Sequence, residues 1–301
     1  MLNLLVIGGS GFLSGTIVGH ALELGHQVWA LTRGRRPLPP GVRPLVADRG
    51  NHAAFAQALA GAQTHWDLVV DCIGFAPADI QQDITVLAPL AQHLVFVSSD
   101  FVYDPARRRI PQREETDAYL REGYGGQKRR CEEVLIAAGI STLPWTIVRP
   151  CHIYGPGSQL GCLPRHSRDT QLIARLRAGE PLQLVGGGYF LQQPVLAADL
   201  AQTIMSMAGQ QATYGQIFGV AGPEIVESRT YYRLIADILD VELAIVEVPV
   251  DAYLHEQPEA APFLCHRVYD LHKLHESDAS TPQTPLGHGL RSHVASLLDQ
   301  T

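Results

Sequence analysis

The sequence predicts an α/β protein with a doubly wound parallel sheet and a smaller C-terminal α/β lobe, and three observations predict it. Short β-branched runs alternate with longer amphipathic stretches through the first half of the chain. A glycine-rich turn joins the first run to the first helical stretch, and the alternation stops at Arg149-Pro150. Strands are expected at residues 2–7, 27–31, 44–47, 68–72, 94–97 and 146–148, with helices over 11–24, 53–62, 78–90 and 119–138. Beyond Pro150 the texture shortens and two glycine clusters punctuate it. Residues 198–208 and 229–239 read as helices, 244–248 as a strand and 277–289 as loop. The expected division is therefore a sheet domain of residues 1–150 plus about 190–221, with a substrate-binding lobe of about 151–189 and 222–301.

Composition narrows the function classes. Of 301 residues, 46% are hydrophobic and 18% charged, which favours a packed globule over a disordered chain. The net charge of -7 argues against a nucleic-acid partner, because neutralising phosphates requires a broad basic surface. No apolar segment has the length to cross a bilayer, and the apolar run after Met1 ends at glycines without a basic n-region, so it reads as a strand rather than a signal peptide. Five scattered cysteines with no C-x-x-C pair point away from a metal site and toward a reducing cytoplasm.

The chemistry begins at residues 7–14, IGGSGFLS, between the first strand and the first helix. Gly8 and Gly11 at G-x-x-G spacing permit a tight turn in which backbone amides meet a pyrophosphate at the positive end of a helix, the Rossmann arrangement. Ser10, Phe12 and Leu13 join them in this cofactor-binding turn. Ser14 holds the position where glycine would give the closest helix–strand contact. The bland alternative is an ordinary glycine-rich turn. At the end of the second strand, where NAD readers carry an acid for the ribose hydroxyls, the chain reads Leu31-Thr32-Arg33-Gly34-Arg35-Arg36. With no acid and three guanidiniums, Arg33 is expected to stack on adenine while it or a neighbour forks onto a 2′-phosphate, with Thr32 and Arg36 also cofactor-binding, so NADP is preferred over NAD; a solvated basic loop is the alternative.

Tyr124 and Lys128 stand four apart in a helical pattern and share a face. An ammonium near a phenol stabilises its anion, which suits Tyr124 to general acid or base work. Ser98 and Ser99 end the fifth strand, at the edge where open α/β sheets bind ligands, and Ser99 is expected to hold the substrate oxygen beside Tyr124. An exposed helical face is the bland reading of the Tyr-Lys pair.

Taken together, IGGSGFLS, Asp48, SSDFVY at 98–103, YGGQK at 124–128, RPCHIYGPG at 149–157 and QPVLAADLA at 193–201 resemble the extended short-chain dehydrogenase/reductases, in their NAD(P)-dependent epimerase/dehydratase branch. The resemblance covers most of the chain. It implies that Asp48 meets the adenine amino group, that Cys72, Ile73 and Gly74 run beneath the adenosine half, that Lys128 also binds the nicotinamide ribose, and that the protein is a homodimer built from paired helices. Departures matter too. Sugar-nucleotide dehydratases carry Thr-Asp-Glu where this chain reads Ser99-Asp100-Phe101, so the base for water elimination is absent. Sugar-nucleotide epimerases carry an Arg-Asp pair where this chain has Gln192-Gln193. The Gln-Pro version resembles an atypical sub-branch that includes chloroplast stem-loop RNA-binding proteins, and SSDFVYD is similar to a string of deoxysugar nucleotide reductases.

Four further residues are substrate-site candidates. Asp100 is placed to donate a proton or orient substrate, or equally to satisfy a turn. His152 is expected beside the nicotinamide or the substrate's first phosphate, where it could relay protons, or is a loop histidine with a purely structural bond. Arg165 and His166, followed by Arg168, are read as a diphosphate clamp or as a surface cluster. Arg107, Arg108 and Arg109 read as a solvated run, and Cys131 and Cys151 as packing. The expected function is an NAD(P)-dependent epimerase or oxidoreductase moving a hydride at a carbinol or carbonyl carbon, with a nucleotide sugar as substrate. The alternatives are an NADPH-dependent carbonyl reductase of a non-nucleotide substrate, and a non-catalytic dinucleotide-sensing or RNA-binding member of the fold.

Overall fold

The computed structural model describes residues 1–299. In chain order it runs β1 (Asn3–Ile7), α1 (Phe12–Glu23), β2 (Gln27–Thr32), β3 (Arg43–Val46), α2 (His52–Gly61), β4 (Leu68–Asp71), α3 (Pro77–Leu87), β5 (Leu94–Val97), α4 (Gly123–Ala138) and β6 (Trp145–Pro150). There follow β7 (Ile153–Tyr154), α5 (Leu172–Arg177), β8 (Leu182–Val185), β9 (Leu191–Gln192), β10 (Val195–Leu196), α6 (Ala197–Ser206), β11 (Gln216–Val220), β12 (Val226–Glu227), α7 (Ser228–Leu239), β13 (Ile245–Val248), α8 (Val250–Glu256), α9 (His272–His275) and α10 (Leu286–Leu298).

Seven strands form one parallel sheet in the order β11-β6-β5-β4-β1-β2-β3. The order reverses between β1 and β4, so a crevice opens at their carboxyl ends. Because successive side chains point to opposite faces, each central strand feeds two cores. Leu4, Val6, Val28, Val70 and Val95 meet α1 and α6, while Leu5, Ile7, Trp29, Val69 and Phe96 meet the side of α2, α3 and α4. A third core gathers Tyr154, Leu172, Tyr231, Leu286 and Leu290 from the later elements.

The predicted sheet strands are all present, but β11 was not anticipated; it adds to the β6 edge in register with Gln216 beside Thr146. Helix α4 begins at Gly123 rather than 119, because Tyr119 bridges Tyr103 in extended backbone and Glu122 caps the helix from an extended conformation. The stretch read as loop over 277–289 already enters α10 at Leu286, where Pro285 precedes the first turn and Glu224 accepts from the Leu286 amide. Its apolar face, Leu286, Leu290 and Val294, supplies the burial that local composition obscured.

One buried ion pair sets the frame of the sheet's central edge. Arg149 on β6 donates to Glu132 on α4 through Nε at 2.9 Å and Nη2 at 2.7 Å, and Ser98 after β5 donates to the same carboxylate at 2.6 Å. Arg149 Nη1 also reaches the Tyr103 hydroxyl at 3.1 Å and the Glu114 carbonyl at 2.9 Å. Burial alone would push the Glu132 carboxyl up, but Arg149 and these hydrogen bonds hold it below its ordinary value. Arg149→Met removes the bidentate partner and leaves that buried carboxylate to Arg129 at 3.0 Å and Ser98, so urea unfolding is expected to show a loss of about 3–5 kcal/mol.

Candidate active site

The crevice at the carboxyl edge is a cavity of about 720 Å³. At one end β1 delivers the glycine turn. Gly8 has φ +91°, and a Cβ there would stand 2.5 Å from Ile73 Cγ2, so only glycine fits without displacing the opposite wall. Ser14 acts as a staple: its hydroxyl donates to the Gly8 carbonyl at 2.5 Å and accepts from the Gly11 amide at 2.9 Å. Phe12 and Leu13 open α1, whose first-turn amides face outward as free donors in any α-helix. A cradle that a Cβ would fill, above a helix N-terminus, fits a dinucleotide pyrophosphate.

The other end is built by β5 and α4. After β5 the chain turns through a single 3₁₀ turn, Asp100–Val102, capped by Ser99, whose hydroxyl accepts from the Phe101 amide at 3.2 Å. The first turn of α4 presses against it. A Cβ on Gly125 would overlap the Phe101 carbonyl, so glycine is what lets Tyr124 come up beside Ser99. Ser99, Tyr124 and Lys128 line the same cavity.

The titration of these groups differs from expectation. Burial pushes the Tyr124 phenol up, with Asp100 adding to the effect and the Ser99 hydroxyl and Arg168 pulling back. Burial likewise pushes the Lys128 ammonium down, against Asp71. Lys128 donates to the Gly74 carbonyl at 2.8 Å and sits 4.2 Å from the Phe96 ring centre, so its charge serves the cavity wall rather than drawing the phenol down.

Of the predicted cofactor residues, Gly8, Gly11, Phe12, Leu13, Cys72, Ile73, Ser98, Lys128 and His152 line the cavity. Ser98 faces it with its hydroxyl committed to Glu132, so it braces the strand end rather than offering a free donor. Gly74 contributes only through the Lys128 hydrogen bond. Ser10, Thr32, Arg33, Arg36 and Asp48 lie outside it. Arg33 and Arg36 are exposed, the latter reaching the Ser10 carbonyl at 3.4 Å. Thr32 and Asp48 accept from Gly34 at 3.1 Å and Gly50 at 2.9 Å.

The substrate candidates divide. Arg165 points to Tyr253, 5.9 Å from the ring centre, and both ring nitrogens of His166 are engaged, with Asp169 at 3.0 Å and the Gln183 carbonyl at 3.1 Å. Arg168 lines the cavity in their place. Asp100 is no proton donor. Burial would raise its carboxyl, but Arg267 and Arg108 hold it below its ordinary value; Arg267 and Arg108 donate to it, the latter at 3.0 Å, and so does the Tyr269 hydroxyl at 2.6 Å. Arg108, expected in solvent, is buried by this contact. His152 is pushed down to about 4 by burial and by Arg267 and Arg168, so its ring is neutral near pH 7 and does not act as the expected relay there.

Sequence reading missed Arg267, Phe75 and Phe263 on the cavity wall, marked Gln192 only as a departure from the family and not as a site residue, and missed behind the wall the buried cluster of Arg49 with Asp71, Asp79 and Asp83. Burial and Asp71 push the Asp83 carboxyl well up. Asp71 did carry a signal, as a carboxylate ending an apolar strand; Arg267 carried none, standing far along the chain from Asp100.

Comparison with known proteins adds the family. Residues 4–221 match the model of the NAD dependent epimerase/dehydratase family. The chain belongs to this family. It is 26% identical over 238 residues to the chloroplast stem-loop binding protein of 41 kDa b of Arabidopsis thaliana, covering 74% of this chain and 59% of that protein. It is 29% identical over 207 residues to a 2-alkyl-3-oxoalkanoate reductase of Stenotrophomonas maltophilia, covering 62% of this chain and 59% of that protein. The chain thus spans less than two thirds of either relative. Among solved structures, UDP-glucose 4-epimerase of Thermotoga maritima with UDP-glucose superimposes with a TM-score of 0.79 at 17% identity, over 99% of both chains. The dTDP-glucose 4,6-dehydratase of Bacillus anthracis with NAD gives 0.77 at 16% identity, over 99% of this chain and 97% of that one. These two share the fold.

Because the unfolded chain protonates His152 near 6.5 and the folded chain only near 4, the unfolded state binds more protons in that window and stability rises with pH across it. Denaturant midpoints measured from pH 4 to 7 should follow that slope, and His152→Asn should make it shallower.

Proposed function

We propose that this protein is an NAD(P)-dependent oxidoreductase that interconverts a carbinol and a carbonyl, and the convergence of Ser99, Tyr124 and Lys128 on one cavity with the glycine turn at its far end carries the reading. The glycine turn at Gly8 and Gly11 would hold the pyrophosphate of a nicotinamide dinucleotide, which would supply or accept the hydride. Ser99 holds the substrate oxygen, and Tyr124 gives or takes the proton at that oxygen. Held above its ordinary value, the phenol stays protonated at neutral pH, which is the donating form that reduction uses. Lys128 fixes the Gly74 wall and places a positive charge within the cavity, with the nicotinamide ribose as its family-implied partner.

Water elimination finds no support, since Asp100 is held ionised and Phe101 replaces the base. On the substrate side, Phe75 and Phe101 flank Tyr124 and Phe263 packs edge-on against Phe101, and Arg165 and His166 are turned to other partners. A carbonyl reductase of a non-nucleotide substrate is therefore the reading the geometry supports best, in keeping with the similarity to a 2-alkyl-3-oxoalkanoate reductase. A nucleotide sugar is the second reading, favoured by Arg168 at the cavity and by the fold neighbour that holds UDP-glucose. NADP is the preferred cofactor, because Arg33, Arg35 and Arg36 are exposed beyond β2 with no acid among them. A homodimer through the packed pair α3 and α4, and a reducing cytoplasm suited to five free cysteines, belong to the same proposal. Against a non-catalytic RNA-binding role stand the net charge of -7 and the intact Tyr-Lys pair.

Tyr124→Phe is expected to keep NADPH affinity and to lose turnover by about 10²–10⁴-fold, and unchanged turnover would overturn the assignment. Fluorescence titration should give NADPH a dissociation constant about tenfold or more below that of NADH, with Arg33→Ala narrowing the gap; a clear NADH preference would remove the NADP reading.

A further inference from the structure

The substrate side of the cavity contains polar groups with nothing to bind. Arg267 Nε and Nη2, Gln192 Nε2 and His152 Nε2 are buried without a hydrogen-bond partner, each on a residue that lines the cavity. Arg267 and Gln192 are 2% and 1% exposed, so solvent does not satisfy them. They are neighbours: the Arg267 amide donates to the carbonyl of Leu191, adjacent to Gln192, at 2.8 Å, and Arg267 and Arg168 lie near enough to His152 to lower its basicity.

Charge points the same way. Arg108 and Arg267 share a single carboxylate, Asp100, and the third partner, Tyr269, is held neutral by burial. This buried group therefore keeps an excess positive charge, to which Arg168 adds. Arg49, by contrast, meets three carboxylates. Buried charges are ordinarily paired, and here the complement is missing among the described residues. The free atoms also have a shape. Arg267 uses Nη1 for Asp100, leaving Nε and Nη2, the side of the guanidinium that forks onto two coplanar oxygens.

We infer that Arg267, Gln192 and His152, with Arg168 beside them, form a carboxylate-binding subsite next to Ser99 and Tyr124, so that the substrate is an oxo- or hydroxy-carboxylate. One planar fork, one amide and one neutral imidazole match a single carboxylate better than a diphosphate. The claim that this ligand is the substrate rests on the hydride-transfer reading; the existence of the subsite does not.

The test is calorimetric titration of the full chain, with and without NADPH, using benzoylformate, acetoacetate, the methyl ester of each, UDP and inorganic phosphate. At least one carboxylate is expected to bind about tenfold or more tightly than its own ester. Arg267→Met should erase that difference. Because it also leaves Asp100 short of a partner, Gln192→Leu provides the second arm: removing an amide that bonds nothing should leave the melting temperature in place while narrowing the acid–ester gap. Equal binding of acid and ester, binding of neither carboxylate, a gap that survives both substitutions, or Gln192-dependent binding of UDP or phosphate in place of the carboxylates would each overturn the inference. Carboxylate binding without any NADPH oxidation would instead sink the hydride-transfer reading and leave the subsite standing.

Discussion

The bidentate contact between Arg149 and Glu132 is the constraint on which the site depends. A guanidinium on β6 and a carboxylate on α4, both fully buried, are tolerable only if each satisfies the other and the remaining lone pairs find donors. Ser98 provides one of those donors, which ties the end of β5 to the middle of α4. Tyr124 and Lys128 lie two and one turns upstream of Glu132 on that helix, and Ser99 is the next residue after Ser98. The spacing of Ser99, Tyr124 and Lys128 is thus inherited from a salt bridge behind the cavity wall.

The two ends of the cavity are built on different principles. The glycine turn works by what is missing, since the absence of a side chain at Gly8 lets the turn pass close against the Ile73 side chain. Its shape is then locked by one hydroxyl, that of Ser14. The substrate end works by crowding. Phe101 lies under Arg267 at 4.5 Å and edge-on to Phe263 at 5.7 Å, and aromatic faces leave few polar contacts to the ligand. Selectivity there falls to the small number of polar groups that remain free.

Two buried arginines illustrate how charge is handled in this interior. Arg49 has more acid around it than it needs, and burial with Asp71 nearby pushes the Asp83 carboxyl well up, toward its neutral form. Arg267 and Arg108 have less acid than they need, and neither can lose a proton at any ordinary pH. An excess of carboxylate is self-correcting by protonation, whereas an excess of guanidinium calls for an anion from outside.

The sequence by itself determined the parallel sheet, the glycine turn and the Tyr124–Lys128 pair, because each is written in spacing shorter than one element: apolar runs of strand length, G-x-x-G between a strand and a helix, and a separation of four on one helical face. The family follows from the same local strings. Tertiary structure alone decided what surrounds them. Arg108 read as solvated became buried, Asp100 left open between proton donor, substrate orienter and turn residue became a fixed anion, and Ser98 gave its hydroxyl to Glu132. Arg267 stands 167 residues from the carboxylate it pairs with, and no periodicity connects them. Burial, pairing and protonation are properties of neighbours in space, so residues brought together by the closing of the fold declare their roles only once it has closed.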